Sequence, residues 1–232
     1  MFLPGYYYYD PTYLILIPAL IISLIAQFKV SSSYNRYSKM TNSYGITGVE
    51  AARRILYANG LSDVQINVIS GNLTDHYDPT RRVLRLSNGV ANSTSIASIA
   101  VAAHECGHAI QHAEGYSPLK LRSAIVPVAN IASSMSWILL VMGIVFSSDS
   151  LVTIGILAFV GYVLFHLVTL PVEFNASSRA LAQIETLGLS NPQEISHEKK
   201  MLSACALTYV SAAIMAILQL LRLIVIANRR RD

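Results

Sequence analysis

Charge is what this sequence has least of. Of its 232 residues only 13% are Asp, Glu, Lys or Arg, against 53% hydrophobic, whereas a soluble domain carries about 25% charged residues. That deficit excludes an ordinary soluble domain and points to a membrane protein with one modest water-facing part. Cysteine is scarce too. Cys106 and Cys205 are the two present, both in apolar runs that read as helical. They form no disulfide framework and fit a reducing compartment. There is no internal repeat and no low-complexity tract beyond YYYY at 6–9. The first apolar stretch, YLILIPALIISLIAQF at 13–28, has no Lys or Arg before it and no small-residue cleavage site. A cleaved signal peptide is therefore not expected. The formal net charge is +4; its placement matters more than its sign, and no nucleic-acid partner is expected.

What is present in abundance is apolar length. A hydrocarbon core takes about 20 residues of helix. The 13–28 stretch reaches that with its Tyr-rich lead, whose tyrosines at 6–9 then fall in the interfacial belt. Further runs cover 124–147, 151–172 and 201–227. SSDS at 147–150 makes a tight turn between the second and third, predicting a helical hairpin. Lys29, Arg36 and Lys39 follow the first run and nothing basic precedes it. The positive-inside rule then puts the N-terminus outside and the chain from residue 29 in the cytoplasm. Lys120, Arg122 and Arg179 fall on the inside in the same scheme. The last run is interrupted by Arg222 and followed by Arg229, Arg230 and Arg231. A crossing would put those three arginines outside, against the rule, so the run either crosses regardless or lies along the membrane or against the cytoplasmic part, giving three to four spans.

The most polar part is 30–122. TGVEAARRILYANGL (47–61) reads as an amphipathic helix with Thr47 as cap, Glu50 closing a capping box and Gly60 as stop. VQINVIS (64–70) and RVLRLS (82–87) alternate and read as a β-hairpin with a long connection. Asn92, Ser93 or Thr94 is expected to cap a helix through SIASIAVAAHECGHAIQHA.

That helix carries dense chemistry. His104 and His108 are separated by about 6 Å of rise and roughly 40° of rotation, so both imidazoles leave one face. Two such ligands suit a tetrahedral Zn²⁺, and Glu105, beside them, is placed to accept a proton from a water that zinc has made acidic. His-Glu-x-x-His on a helix is the mechanistic signature of a zinc hydrolase. The alternative, two surface histidines, sits poorly with the apolar flanks, because partly buried imidazoles need partners. His112 continues the i+4 series but lies about 12 Å from His104 along the axis, too far to share one ion. Cys106 is turned by roughly 200° from His104 and is no ligand. A catalytic zinc needs a third protein ligand and an open fourth place. Glu173, at the inner end of the third span, is the best candidate, since a carboxylate there is costly unless paired or metal-bound. The competing reading is an exposed helix-start glutamate after Pro171.

Three stretches make the chain recognisable. LTDHYDP (73–79), RLSNGVANSTSIASIAVAAHECGHAIQHA (85–113) and LPVEFNASSRA (170–180) together resemble the YugP-like family of bacterial membrane zinc metallopeptidases. The resemblance runs over nearly the whole chain. It implies zinc ligands at His104, His108 and Glu173, a base at Glu105 and a gluzincin-type site. The logic is similar to that of the HtpX and CAAX-prenyl endopeptidase group, with the site at the cytoplasmic membrane face of a bacterial cell. Two positions depart from the pattern: Cys106 stands where Val or Leu is expected, and Asn175 where an aspartate is expected, which removes a charged orienter of a zinc histidine.

The expected whole is a mainly α membrane protein with three to four transmembrane helices and a small α+β zincin-like cytoplasmic part. Residues 1–29 form an anchor, 30–122 the metallopeptidase part, 123–172 a transmembrane hairpin, 173–200 a cytoplasmic segment with the third ligand, and 201–232 an apolar helix with a basic tail. The expected activity is hydrolysis of peptide bonds with one Zn²⁺. The expected partners are protein or peptide substrates, membrane proteins among them, the lipid bilayer, and a regulatory membrane partner or a second copy. Donors for the developing oxyanion are sought among His76, Tyr77, Arg179 and His197, with Asn175 behind the metal. RVLRLS is expected to take an extended substrate at its edge. An intramembrane site-2-type protease would need the motif inside a span and an aspartate in another. Only about eight apolar residues precede His104, too few to cross, and no run contains Asp. A transporter would need charges in several spans, where His166 stands almost alone. A catalytically silent zinc-binding scaffold or adaptor is the remaining alternative; it would have no use for Glu105.

Overall fold

Among the described residues, four helices are long and apolar enough to cross a bilayer, and they set the architecture. The computed structural model describes residues 10–229; the tyrosines at 6–9, and Arg230 and Arg231, lie outside them. A 3-10 turn, Pro11–Leu16, leads into α1 (Ile17–Tyr37). α2 (Gly48–Ala58) follows, with Thr47 and Glu50 forming the expected capping box and Gly60 leaving the helix at φ +69°. Three short strands come next: β1 (Gln65–Ile69), β2 (His76–Asp78) and β3 (Val83–Ser87). A single turn α3 (Asn88–Ala91) precedes α4 (Ile96–Ala113), capped by Ser95, one residue beyond the expected trio. Then come α5 (Ser117–Val145), α6 (Asp149–Thr186) and α7 (Pro192–Asn228). The protein is a mainly α membrane protein with a small three-stranded sheet.

The sheet differs from expectation. Its order is β1-β3-β2; β1 runs parallel to β3, and the hairpin is β2 with β3. The 70–82 connection is not a plain loop but contains β2, and this third strand displaces the expected pairing. β3 therefore sits in the centre. Val83, Leu84, Leu86 and Ser87 are all buried, on both faces of the strand, while β1 stays largely exposed. A strand covered on both faces does not carry the alternation that its letters suggested.

α4 is the central helix. It packs against α2, α6, α7 and the sheet, and most of its residues are buried, including Ile99, Ala100, Ala103 and Cys106. A helix apolar almost all round belongs in a core. Cys106 and Cys205 are both free thiols. Gly107 explains how closely α4 meets α6: a Cβ there would lie 2.6 Å from the Ala176 carbonyl oxygen. Any larger residue would push the two helices apart.

α6 has 38 residues and so runs about 57 Å, against about 30 Å of hydrocarbon. It continues unbroken through Pro171, and its inner part projects beyond the apolar run toward α4. α7 resolves the ambiguity of the last run. Arg222 is buried, donating to Thr12 Oγ1 (3.0 Å) and Asp10 Oδ2 (3.1 Å), with its guanidinium 3.7 Å above the Tyr13 ring. The interrupting charge is thus paired across the bundle, which lets α7 lie antiparallel against α1 along its length. Outward-facing apolar residues such as Phe28, Ile131, Leu157 and Val145 form the surface left for lipid. His166 packs edge-on against Tyr162 and Phe165 within this bundle.

Candidate metal centre

The i, i+4 spacing on α4 puts the His104 and His108 rings 4.9 Å apart, edge to face. α6 crosses over Gly107 and delivers Glu173 between them. Glu173 Oε2 lies 3.3 Å from His104 Nε2 and 3.5 Å from His108 Nε2, and the three side chains are 12%, 12% and 3% exposed. Two ligands bound to zinc at about 2.0–2.1 Å with tetrahedral angles stand about 3.3–3.4 Å apart. The observed separations match that edge, and all the ligand atoms fall within 4.8 Å of one another. The three residues can hold a zinc ion.

What stands behind the imidazoles supports the same fit. Gln111, fully buried, accepts from His108 Nδ1 through Oε1 (3.1 Å) and donates through Nε2 to the Val172 carbonyl (2.8 Å) and to Asn175 Oδ1 (2.9 Å). Those two donor bonds set the amide orientation, so its oxygen faces His108 and the proton sits on Nδ1. Ser177 Oγ lies 3.2 Å from His104 Nδ1. His108 then keeps its Nε2 lone pair for the centre, as metal-binding histidines do, and the Ser177 hydroxyl is able to accept from His104 Nδ1 in the same way. Asn175 acts on His108 only through Gln111, and it also accepts from Arg179 Nε at 2.7 Å. Replacing Gln111 with Ala is expected to weaken zinc binding about 10–100-fold, read by competition with a chelator of known affinity.

Glu105 shares a cavity of about 380 Å³ with His108, Glu173, His76 and Tyr77. Its Oε2 accepts the Tyr77 backbone N–H at 3.1 Å. Burial raises its carboxyl above the ordinary value, against the pull of the His108 and His104 charges. The other expected residues divide. His76 lines the cavity, but its ring nitrogens are engaged by the Thr74 carbonyl and Arg85. The Tyr77 hydroxyl is bonded to His112 Nδ1 at 2.9 Å, which also gives His112 a partner away from the centre. Arg179 is held by Glu114 at 2.6 Å and Asn175. His197 stacks on Tyr37 and does not line the cavity. Four contributors escaped sequence reasoning. Gln111 and Ser177 had a usable signal, each lying on the ligand face of its helix. Arg122 and Tyr209 line the cavity from α5 and α7, and nothing local marks them.

Two imidazoles, a carboxylate from a second helix and an adjacent glutamate, set on a membrane-spanning frame, define a membrane protein with a candidate zinc centre of the hydrolytic kind. The comparisons agree. Residues 12–228 match the family described as "Putative neutral zinc metallopeptidase", and the chain belongs to that family. It is 50% identical over 216 residues, 93% of this chain and 96% of the relative, to the Bacillus subtilis (strain 168) protein described as "Putative membrane protease YugP". No solved structure matches it.

Proposed function

We propose that the protein is a membrane-embedded zinc-dependent endopeptidase that cuts protein substrates at the cytoplasmic face of the cell membrane. In this reading His104, His108 and Glu173 hold the ion in a gluzincin-type arrangement and Glu105 is the general base. The observation that carries it is the convergence of the three ligand atoms within 4.8 Å, beside the cavity that Glu105 lines together with His108 and Glu173. A zinc ion there would polarise the scissile carbonyl and bring the ionisation of water near neutral pH. Glu105 accepts the proton of the attacking water and returns it to the leaving nitrogen. The Tyr77 N–H steadies the carboxylate through that exchange. In the same reading the chain divides into an anchor at 1–29, the metallopeptidase part at 30–122, a transmembrane hairpin at 123–172, a segment carrying the third ligand at 173–200, and an apolar helix with a basic tail at 201–232.

Substrate placement is revised. β3 is paired on both sides and cannot accept another strand. β2 is the edge beside α4, with His76 and Tyr77 in the cavity, so an extended substrate would add there. The purified protein is expected to cleave labelled casein, to stop on treatment with phenanthroline, and to recover with added zinc. Cleavage indifferent to the chelator would end the proposal.

Lys29, Arg36 and Lys39 put the N-terminus outside and the 30–122 part inside by the positive-inside rule; four crossings then bring the C-terminus outside as well, with its arginines against that rule. Ser147, exposed in the α5–α6 turn, and Ser62, exposed after α2, report on this. A Ser147→Cys variant is expected to react with a membrane-impermeant maleimide on intact cells, and Ser62→Cys only after permeabilisation. The reverse pattern would invert the orientation.

A further inference from the structure

We propose that Arg122 is the oxyanion donor of this site, its guanidinium receiving the substrate carbonyl oxygen as it gains negative charge. The inference rests on the peptidase reading above. Arg122 lies in the second turn of α5, where the helix leaves the cavity for the bilayer. It lines the same cavity as Glu105, His108 and Glu173. Its Nη1 stands 3.4 Å from Glu173 Oε1, the carboxylate oxygen turned away from the imidazoles. That contact fixes the guanidinium beside the ligand cluster. Its Nε is buried and has no hydrogen-bond partner.

A buried donor left unpaired costs about 1–3 kcal/mol, and such groups are uncommon enough that each calls for an explanation. A residue that only oriented Glu173 could turn its Nε to the carboxylate as well and make the bidentate contact that arginine favours. Arg122 instead leaves that N–H unpaired, on a side chain that lines the reaction cavity. The donors sought from the sequence are committed: His76 is bonded at both ring nitrogens and the Tyr77 hydroxyl is held by His112. Arg179 is tied to Glu114 and Asn175.

The water oxygen forms a bond to the carbonyl carbon, and its proton passes to Glu105. The π pair of the C=O moves onto the oxygen, and the charge created there meets the Arg122 N–H. When the pair returns, the C–N bond breaks and the nitrogen takes the proton from Glu105. A guanidinium stays cationic at any working pH, so the donor needs no titration. Its interaction strengthens only as the oxygen becomes anionic, which is the condition for lowering the barrier and not merely tightening substrate binding.

The test uses the full chain in detergent and three variants: Arg122→Gln, Arg122→Lys and Glu105→Gln. Zinc content, kcat and KM on labelled casein, and affinity for a phosphoramidate peptide, whose tetrahedral P–O group mimics the oxyanion, are measured for each. Arg122→Gln is expected to keep its zinc and its KM while kcat falls about 10²–10³-fold, and to bind the phosphoramidate more weakly by a similar factor. Arg122→Lys is expected to recover part of both losses, since an ammonium restores the charge without the fork. Loss of zinc from the folded Arg122→Lys protein would make Arg122 a support for Glu173 and overturn the proposal. So would a raised KM with unchanged kcat, an unchanged phosphoramidate affinity, or no phosphoramidate binding by the wild type. If Glu105→Gln is inactive while both Arg122 variants match wild type, only the assignment of Arg122 falls. If Glu105→Gln cleaves normally, the peptidase reading falls first.

Discussion

Glu105→Gln is expected to retain one zinc per chain and to lose about 10²–10⁴-fold in kcat, the usual worth of a positioned general base. Glutamine preserves the shape of the side chain, and its carbonyl oxygen can still accept the Tyr77 N–H that Glu105 Oε2 accepts at 3.1 Å. Zinc should be unaffected, because the proposed ligands are His104, His108 and Glu173. What glutamine cannot do is take the proton of the attacking water. Zinc analysis alongside casein cleavage separates the two roles. Equal cleavage by variant and wild type would defeat the enzyme reading and favour a zinc-binding scaffold, in which a carboxylate at 105 has no task.

Glu173→Ala is expected to remove the metal itself. Glu173 is the single point where α6 meets both imidazoles, at 3.3 and 3.5 Å. Its loss leaves two ligands from one helix, with no third group to close the tetrahedron. The affinity loss should exceed the roughly 10–100-fold that follows from disturbing a residue behind a ligand, so zinc should fall well below one per chain after dialysis. The truncation also strips Arg122 of the carboxylate at 3.4 Å. Glu173→Gln controls for this, since it keeps the volume and removes the charge; it should lose zinc while remaining folded. Unchanged zinc in both variants would move the third ligand elsewhere. His76 and His197 are poorly placed to replace it, the first being engaged at both ring nitrogens and the second stacked on Tyr37.

Much of this was legible in one dimension, for identifiable reasons. The α2 capping box involves groups three residues apart, so Thr47 and Glu50 announce it. The pairing of His104 with His108 depends only on helical pitch. Glu173 drew notice because a carboxylate next to a 22-residue apolar run at 151–172 is costly there without a partner. Other features had no local trace. The strand order was misread because β2, three residues long, is too short to show a period. Arg222 looked like a break in the last run; its partners Asp10 and Thr12 lie some 210 positions away. Arg122 read as an inside-facing charge.

The sequence by itself determined the apolar lengths that demand a bilayer, the helix that bears two imidazoles on one face, and the glutamate between them. These follow from spacing along one element, where distance is set by covalent geometry and helical pitch. Only the tertiary structure brought the carboxylate at the end of an apolar run against both imidazoles, set an amide and a hydroxyl behind them, and placed a guanidinium at the cavity. Those contacts arise where α4, α5, α6 and α7 approach one another. That approach depends on how closely side chains such as Gly107 let backbones pack, a property of the pair of surfaces and not of either strand of text.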